Sequence, residues 1–192
     1  MLHALHLPPP APAPLPGLPA RIARLLRHRW AEGGLHRALP PDLLERLARR
    51  VAASEARHTG QIRICAEGGL PASYLWRGAS ARERAVTLFG KLRVWDTEHN
   101  NGVLIYLLLA EHAIEIVADR ALARTVPPAA WREMVARMGE AFRAGRYEDG
   151  LTQALEEVSA LLAEHFPAGP GTRANELPDM PVLGGAARPD GP

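Results

Sequence analysis

Carboxylate and amide side chains stand just before or just after stretches of this sequence that are typical of β-strands. Asp96, Glu98, Asn100 and Asn101 precede an apolar run, and Asp119 follows the next strand-like stretch. Oxygen atoms of Asp, Glu and Asn are ligands that hard divalent cations prefer in proteins. These residue types therefore predict a site for Ca²⁺ or Mg²⁺, with Asp96, Glu98 and Asp119 as its carboxylate ligands.

Other polar residues take equivalent places beside the predicted strands and complete a set that we call the polar rim. Besides the three predicted ligands, the polar rim contains Glu55, His58, Asn100, Asn101 and Arg120. Its carboxylates would repel one another unless a cation or an arginine lay among them. A simpler interpretation stays open, because Asp and Asn are common loop residues and Arg120 could pair with one of the acids.

The sequence lacks the common motifs of hydrolytic active sites. HExxH, GxSxG and the phosphate-binding loop are absent, and the eight histidines show no paired zinc-ligand spacing. Cys65 is the single cysteine and has no arginine six residues later, as a thiolate phosphatase loop would require. We therefore predict no catalytic residue. We expect Cys65 to fill the core, and His28 and His112 to lie on the surface.

Three strands must position the polar rim. Residues 103–109 form an unbroken apolar run, which is typical of a strand covered on both faces. Residues 113–118 alternate between apolar and other side chains, and the short connection between these two runs predicts an antiparallel hairpin. Residues 61–67 also alternate and predict an earlier strand.

A helix should connect the first strand to the second. Ser80 and Glu83 have the spacing of a capping box, and apolar residues follow at helical spacing to about residue 93. A strand–helix–strand unit is normally parallel and right-handed. The starts of the first two strands and the end of the third then lie at one end of the sheet, which would bring the polar rim together.

Composition divides the chain into four parts. Residues 1–19 carry seven prolines and predict a disordered leader, and residues 20–51 predict a helical segment packed on the domain. Residues 52–167 hold the predicted α/β domain, whereas 168–192 are rich in Gly and Pro and predict a disordered tail. Within this tail, residues 175–183 could form a docking segment.

Four more helices follow from apolar residues at helical spacing. They span about 20–30, 41–57, 127–144 and 149–165. Gly33 and Gly34 should end the first of them, because glycine is a poor helix former.

Charge suggests a partner surface only locally. Lys and Arg exceed Asp and Glu by 23 − 21 = +2 over the whole chain, whereas residues 21–57 hold nine arginines and four acids. These arginines form either a solvated helix face or a basic contact surface. We expect a protein partner at the basic N-terminal helices or the C-terminal tail, and no nucleic-acid partner.

Membrane and export signals are missing from the sequence pattern. The longest apolar run has eight residues, well short of the ~20 that a membrane helix needs. The prolines of residues 8–19 would interrupt the apolar segment of a signal peptide, and a lone cysteine fits a reducing compartment. We therefore expect a cytoplasmic protein with no transmembrane segment.

The segment from about residue 52 to 167 resembles the TPM domain family. The resemblance is carried by SEARHTGQIRI, RERAVTLFGKL, TEHNNGVLIYLLLA and EIVADR, followed by VPPAAW and FRAGRYEDGL. The tail segment ANELPDMPVL is similar to that of soluble, single-domain bacterial members.

The resemblance implies a three-layer α/β/α sandwich around a small mixed sheet of three to four strands. For some members it also implies divalent-metal binding and phosphatase activity, since the founding members include a thylakoid-lumen acid phosphatase. Asp96 or Glu98 matches the acidic residue that precedes NNG in the family, and Asp119 falls where the family places polar residues after the third strand. We therefore expect a metal-binding interaction module, or alternatively a metal-dependent phosphomonoester hydrolase.

Overall fold

A computed structural model of the chain describes residues 17–169 and 175–184. Its centre is a four-stranded sheet in the order β3-β2-β1-β4. The strands are β1 (Ile62–Glu67), β2 (Val103–Leu108), β3 (Ala113–Ala118) and β4 (Val182–Leu183). The first three strands were predicted by sequence pattern to within one residue at each end.

Strand pairing follows the predicted topology. β1 and β2 are parallel, and β2 and β3 form an antiparallel hairpin. The hairpin is closed by a short 3₁₀ turn, Leu109–Glu111, after which His112 takes a left-handed conformation with φ of 47°. In this register Val103 lies opposite both Ile62 and Ala118, so the starts of β1 and β2 and the end of β3 share one end of the sheet.

Helices cover both faces of the sheet. One face packs on α2 (Pro41–Glu55), α6 (Pro128–Arg143) and α7 (Tyr147–His165), and the other packs on α4 (Ala81–Lys91). Successive residues of β2 point to opposite faces, and all of them are buried. This is the expected three-layer α/β/α sandwich with a mixed sheet, stabilised by two apolar cores.

Two short helices were not predicted from the sequence. α3 (Ala72–Trp76) lies in the segment expected to be a loop, and α5 (Arg120–Thr125) begins directly after β3. Both have fewer than two full turns, too short to show a helical repeat of apolar residues.

The first helix is longer than predicted. α1 spans Leu18–Ala38 and continues through Gly33 and Gly34, which we expected to end it. Tertiary packing explains the difference: β-carbons built on Gly68 and Gly69 would lie 2.5 Å from backbone atoms of α1, so the two backbones touch there. Packing of this kind overrides the weak helix propensity of glycine.

His28 is buried on the inner face of α1, so the prediction that it lies on the surface was wrong. Its Nδ1 accepts a hydrogen bond from the backbone N–H of Leu70 at 2.9 Å. Nε2 therefore carries the proton and donates to Glu111 across 3.2 Å. Arg24 adds a second contact to the same carboxylate at 2.7 Å, which ties α1 to the β2–β3 turn.

The C-terminal segment returns to the sheet. Residues 175–184 lie against β1, where β4 adds a parallel strand and Leu177 is buried. The prediction of a disordered tail is therefore wrong for these ten residues, which dock on their own domain. The leader residues 1–16 and the tail residues 170–174 and 185–192 lie outside the described residues. None of the described helices is long and apolar enough to span a bilayer.

Candidate functional site

The polar rim is assembled by hydrogen bonds that join all three strands. Asn101, before β2, donates from Nδ2 to Oγ1 of Thr59, before β1, at 2.7 Å. Asp119, after β3, donates from its backbone N–H to the carbonyl of Gly102 at 2.8 Å. The prediction that three strands bring these segments to one end of the sheet is therefore confirmed.

Local backbone geometry holds the start of β2 tightly. Asn100 has a left-handed φ of 52°, a conformation that Asn tolerates better than most residues. A β-carbon on Gly102 would lie 1.9 Å from the carbonyl oxygen of Val94, so only glycine fits there. The NNG sequence is thus required by the turn that presents both asparagines to the rim.

Asp119 has one satisfied and one unsatisfied carboxylate oxygen. It caps α5, since Oδ1 accepts the backbone N–H of Arg120 at 2.6 Å. The other oxygen, Oδ2, is buried and has no hydrogen-bond donor within the described residues. Burial raises the pKa of this carboxyl above its ordinary value, and the backbone N–H and charge of Arg120 oppose that rise.

Asn101 leaves a second oxygen without a donor. Its backbone N–H donates to Oγ1 of Thr97 at 3.2 Å, and its Nδ2 is used by Thr59. Its Oδ1 is buried without a hydrogen-bond partner in the part of the chain that the structure describes. Two buried oxygens at the same end of the sheet therefore have no hydrogen-bond donor among the residues that the structure describes. A buried acceptor that stays unsatisfied costs about 1–3 kcal/mol.

Asp96 and Glu98 lie on the exposed loop that leads into β2. The carboxylate of Asp96 is 4.0 Å from Arg93, and both side chains are largely exposed. Glu98 is also exposed, and its backbone N–H donates to Glu176 at 2.9 Å. Within residues 17–169 and 175–184, no three His, Cys, Asp or Glu side chains are grouped closely enough to hold one ion. The structure thus does not gather Asp96, Glu98 and Asp119 into one carboxylate group.

Arg120 contacts an amide rather than an acid. Its Nη2 donates to Oδ1 of Asn100, and the backbone N–H of Ala121 donates to the carbonyl of Asn100 at 3.1 Å. Arg120 is exposed, and its hydrogen bond to Asn100 fixes the loop before β2 at the protein surface.

Glu55 and His58 occupy the other side of the rim, at the start of β1. Glu55 accepts the backbone N–H of Ile62 at 2.8 Å. Burial raises the pKa of Glu55 to about 7, with a smaller contribution from the nearby carboxylates of Asp179 and Glu176 and against the backbone N–H of Ile62. His58 is buried, with Nδ1 3.0 Å from the carbonyl oxygen of Gly60.

Sequence reasoning missed the contribution of the C-terminal segment to this site. Oε1 of Gln61 accepts the backbone N–H groups of Glu176 and Leu177, each at 3.0 Å. These bonds bring Glu176 and Asp179 close to Glu55. The only signal in the sequence was a possible docking segment at residues 175–183, which gave no indication of where it docks.

A second polar cluster lies inside the domain, on the α4 side of the sheet. Arg84 donates from Nε and Nη2 to both oxygens of Glu67, at 2.9 and 2.6 Å. Tyr106 donates to the same carboxylate at 2.7 Å. Burial also raises the pKa of the neighbouring Cys65 to about 12, so this thiol stays protonated, and the expected core position of Cys65 is confirmed. Because Glu67 is fully satisfied by its own neighbours, we interpret the cluster as structural.

Comparisons with known proteins agree with this architecture. The family model that describes the TPM domain matches residues 36–161. A search of curated proteins finds no match to the chain. Among solved structures, the chain is similar to the NMR structure of the BA42 protein from the psychrophilic bacterium Bizionia argentinensis. The TM-score is 0.65 and the sequence identity is 23%, and the match covers 76% of this chain and 95% of that chain. At this identity the similarity supports the fold alone, whereas the family match covers most of the sequence. The chain belongs to the TPM domain family.

Proposed function

We propose that this TPM domain binds Ca²⁺ or Mg²⁺ at the polar rim and acts as an interaction module. The observation that carries the proposal is the pair of buried oxygens, Oδ2 of Asp119 and Oδ1 of Asn101, that lack a hydrogen-bond donor among the described residues. Buried polar atoms are normally satisfied, and an unsatisfied one calls for an unseen partner such as an ion or a water molecule. A hard cation accepts oxygen ligands of these two types.

The proposed site has two buried ligands, Asp119 and Asn101, which would supply the buried oxygens. Asp96 and Glu98 lie on the adjoining exposed loop and would add negative charge near the ion without binding it directly. Since Ca²⁺ accepts a flexible set of six to eight oxygens, backbone carbonyls and water would complete its shell.

The experiment is thermal unfolding of the full chain with and without millimolar Ca²⁺ or Mg²⁺. A ligand bound only by the folded state, at about 100 times its Kd, adds about 2.7 kcal/mol to the free energy of unfolding. We expect a higher Tm with one of the ions, reduced by Asp96→Ala and abolished by Asp119→Asn. Asparagine is the sharper change at position 119, because it can still cap α5 while it loses the charge.

Asp149→Asn serves as the control, because this carboxylate is exposed and pairs with Arg146 at 3.3 Å rather than with the rim. Its ion-dependent shift should equal that of the wild type. No shift with either ion, or an equal shift in Asp119→Asn, would refute ion binding at this site.

A metal-dependent phosphomonoester hydrolase is the alternative function. The observation that favours it is that Arg120 is exposed beside Asn100, where its guanidinium could hold a phosphate group. Hydrolysis would require attack by a water molecule that the ion activates. Hydrolysis of p-nitrophenyl phosphate should then be Ca²⁺- or Mg²⁺-dependent and fall in both Arg120→Met and Asp119→Asn. Equal rates in these variants and the wild type would exclude it.

A further inference from the structure

The outer face of α1 is apolar although it faces solvent. The inner face buries His28 and Leu35, and the opposite side exposes Ile22, Leu26 and Trp30. Trp30 has 89% of its surface exposed, the largest exposed fraction among the large hydrophobic residues of the described chain. A helix that packs on its own domain with one face normally presents polar residues on the other. This outer face therefore has the character of a binding surface.

A groove runs beside this face, between α1, the β2–β3 turn and the turn that joins α6 to α7. We call it the α1 groove; it encloses about 1050 Å³, and its lining includes Leu26, Trp30, Gly34, His112 and Tyr147. The ring of His112 stacks on that of Tyr147 with centroids 6.4 Å apart and an interplanar angle of 10°. Exposed Trp beside Tyr and aliphatic side chains is the composition of protein-binding hot spots.

The charge of the α1 groove is positive and only partly neutralised. Arg46 pairs with Glu148 at 3.0 Å, and Arg146 pairs with Asp149. The two other cations of the lining, Arg27 and Arg37, make no side-chain hydrogen bond or ion pair with any residue that the structure describes. The surplus positive charge at the groove is thus complementary to an acidic partner.

Two adjacent glycines in α1 leave room for close contact. β-carbons on Gly33 and Gly34 would meet no atom of the described chain within 4 Å, so internal packing does not require glycine there. Apart from proline, glycine is the residue least suited to a helix interior. Gly34 lines the groove, and a glycine there is explained if the backbone of another molecule approaches α1 at this point.

We propose that the α1 groove binds an acidic, amphipathic helical segment of a partner protein. Apolar side chains of that segment would pack on Leu26, Trp30 and Tyr147, and its carboxylates would pair with Arg27 and Arg37. These two arginines are ten positions apart on α1, or about 15 Å along the helix axis. The partner helix therefore needs acidic residues about ten positions apart with apolar residues between them at a helical repeat. This inference rests on the proposed function as an interaction module and names the chemistry of its partner.

Other occupants fit the groove less well. A concave groove matches a helix better than the flat surface of an anionic membrane. A second copy placed groove to groove would bring Arg27 and Arg37 of both copies together, which like-charge repulsion opposes.

The test is a selection from a phage-displayed library of randomised peptides of about 16 residues, long enough for four helical turns, against the full chain. We expect enrichment of peptides that combine Asp or Glu with Leu, Ile or Phe at helical spacing. Binding of one enriched, fluorescein-labelled peptide is then measured by anisotropy. Reversal of both groove charges in Arg27→Glu with Arg37→Glu should weaken it about ten-fold or more, and Trp30→Ala should do the same.

Matched controls separate the groove from general effects of charge and helix composition. Arg124→Glu with Arg132→Glu makes the same change of net charge at two other exposed arginines and should leave binding unchanged. Gly34→Leu should block the groove, whereas Gly139→Leu, at another open helical glycine, should not. Enrichment of neutral or basic peptides, no enrichment, or equal binding by the Arg27→Glu, Arg37→Glu variant would overturn the proposal.

Two further measurements distinguish the other occupants and the ion site. The wild type is also tested for binding to phosphatidylglycerol vesicles and for a dimer in sedimentation velocity. If either is observed and disappears in the Arg27→Glu, Arg37→Glu variant, the groove binds a membrane or a second copy instead of a peptide, and the proposal is overturned. Peptide affinity should not change in Asp119→Asn, and the groove variant should keep its ion-dependent Tm shift. The peptide measurement therefore tests the groove, the Tm measurement tests the ion site, and either proposal can be refuted without the other.

Discussion

Asn101 donates a hydrogen bond from its side-chain Nδ2 to Oγ1 of Thr59 across 2.7 Å, which joins the start of β2 to the residue ahead of β1. The backbone N–H of Thr59 in turn donates to the carbonyl of Phe166 at the end of α7, at 2.8 Å. Thr59 thus contacts the buried amide through its hydroxyl and the end of α7 through its backbone N–H. In this arrangement the amide nitrogen is used by Thr59, and the amide oxygen has no hydrogen-bond donor among the described residues.

Thr59→Val should destabilise the fold and weaken the proposed ion site together. The substitution removes the acceptor of Asn101 and leaves a buried N–H₂ group unsatisfied, at a cost of about 1–3 kcal/mol in the free energy of unfolding. Urea denaturation measures this loss. Thr125→Val is the control, since that hydroxyl is exposed on α5 and should change stability by about 0.5 kcal/mol or less. Equal effects at both positions would contradict the role of the Asn101–Thr59 bond.

Ion affinity should increase with pH. Burial raises the pKa of Asp119, and a cation must displace the proton from its carboxyl before it can bind. Lower pH therefore favours the protonated, ion-free form, and the apparent Kd for Ca²⁺ should be larger at about pH 5 than at about pH 7. Isothermal titration calorimetry at both values provides the measurement. An apparent Kd that stays constant or falls as pH decreases would argue against Asp119 as a ligand.

Glu55 should make the fold less stable as pH rises. Its pKa is about 7 in the folded protein and near 4.5 in the unfolded chain, so the folded state binds more protons between these values. The contribution is favourable below about 4.5 and is lost as pH rises through about 7. Glu55→Gln keeps an oxygen for the Ile62 N–H but cannot ionise. At pH 8 its free energy of unfolding should therefore exceed that of the wild type by about 1–2 kcal/mol, a range that allows for the partial solvent exposure of Glu55.

At pH 4 the two proteins should have nearly equal free energies of unfolding, because Glu55 is then largely protonated in both states. Chemical denaturation at the two pH values tests this. If the Glu55→Gln variant is no more stable than the wild type at pH 8, the ionised Glu55 carboxylate does not lower the stability of the fold.

Arg84→Met should be among the more destabilising single substitutions in the domain. It leaves the Glu67 carboxylate buried without its bidentate partner, which costs about 3–5 kcal/mol. The double variant Glu67→Gln with Arg84→Met should recover part of this loss, since glutamine removes the charge and still accepts from Tyr106. A double-mutant cycle in urea gives the coupling.

Arg137→Met provides the comparison for that cycle. Arg137 and Glu157 also lie 2.6 Å apart, but the arginine is half exposed, so its loss should cost about 1 kcal/mol or less. Similar losses for Arg84 and Arg137 would mean that burial does not set the strength of the Glu67 pair.

The sequence by itself determined those strands and helices whose burial produces a local pattern of apolar and polar residues. The apolar run of β2 and the alternation of β3 identified both strands, since burial on two faces or one face leaves a direct trace in residue order. The Ser80 and Glu83 capping box is present with both of its hydrogen bonds. Parallel pairing of β1 with β2 then followed from a helix between them, and with it the meeting of the three strand ends.

Only tertiary structure decided which oxygens of the polar rim are buried and which are exposed. Asp96 and Asp119 are the same residue type, yet Asp96 lies on an exposed loop, whereas Asp119 caps α5 and has one buried oxygen without a donor in the described part of the chain. The course of α1 beyond Gly33 and the docking of β4 were likewise decided by contacts between distant parts of the chain. Arg63 holds the carbonyl of Met180 at 3.0 Å across a sequence separation of 117. Burial and orphaned atoms are properties of such long-range contacts, and a local residue pattern does not encode them.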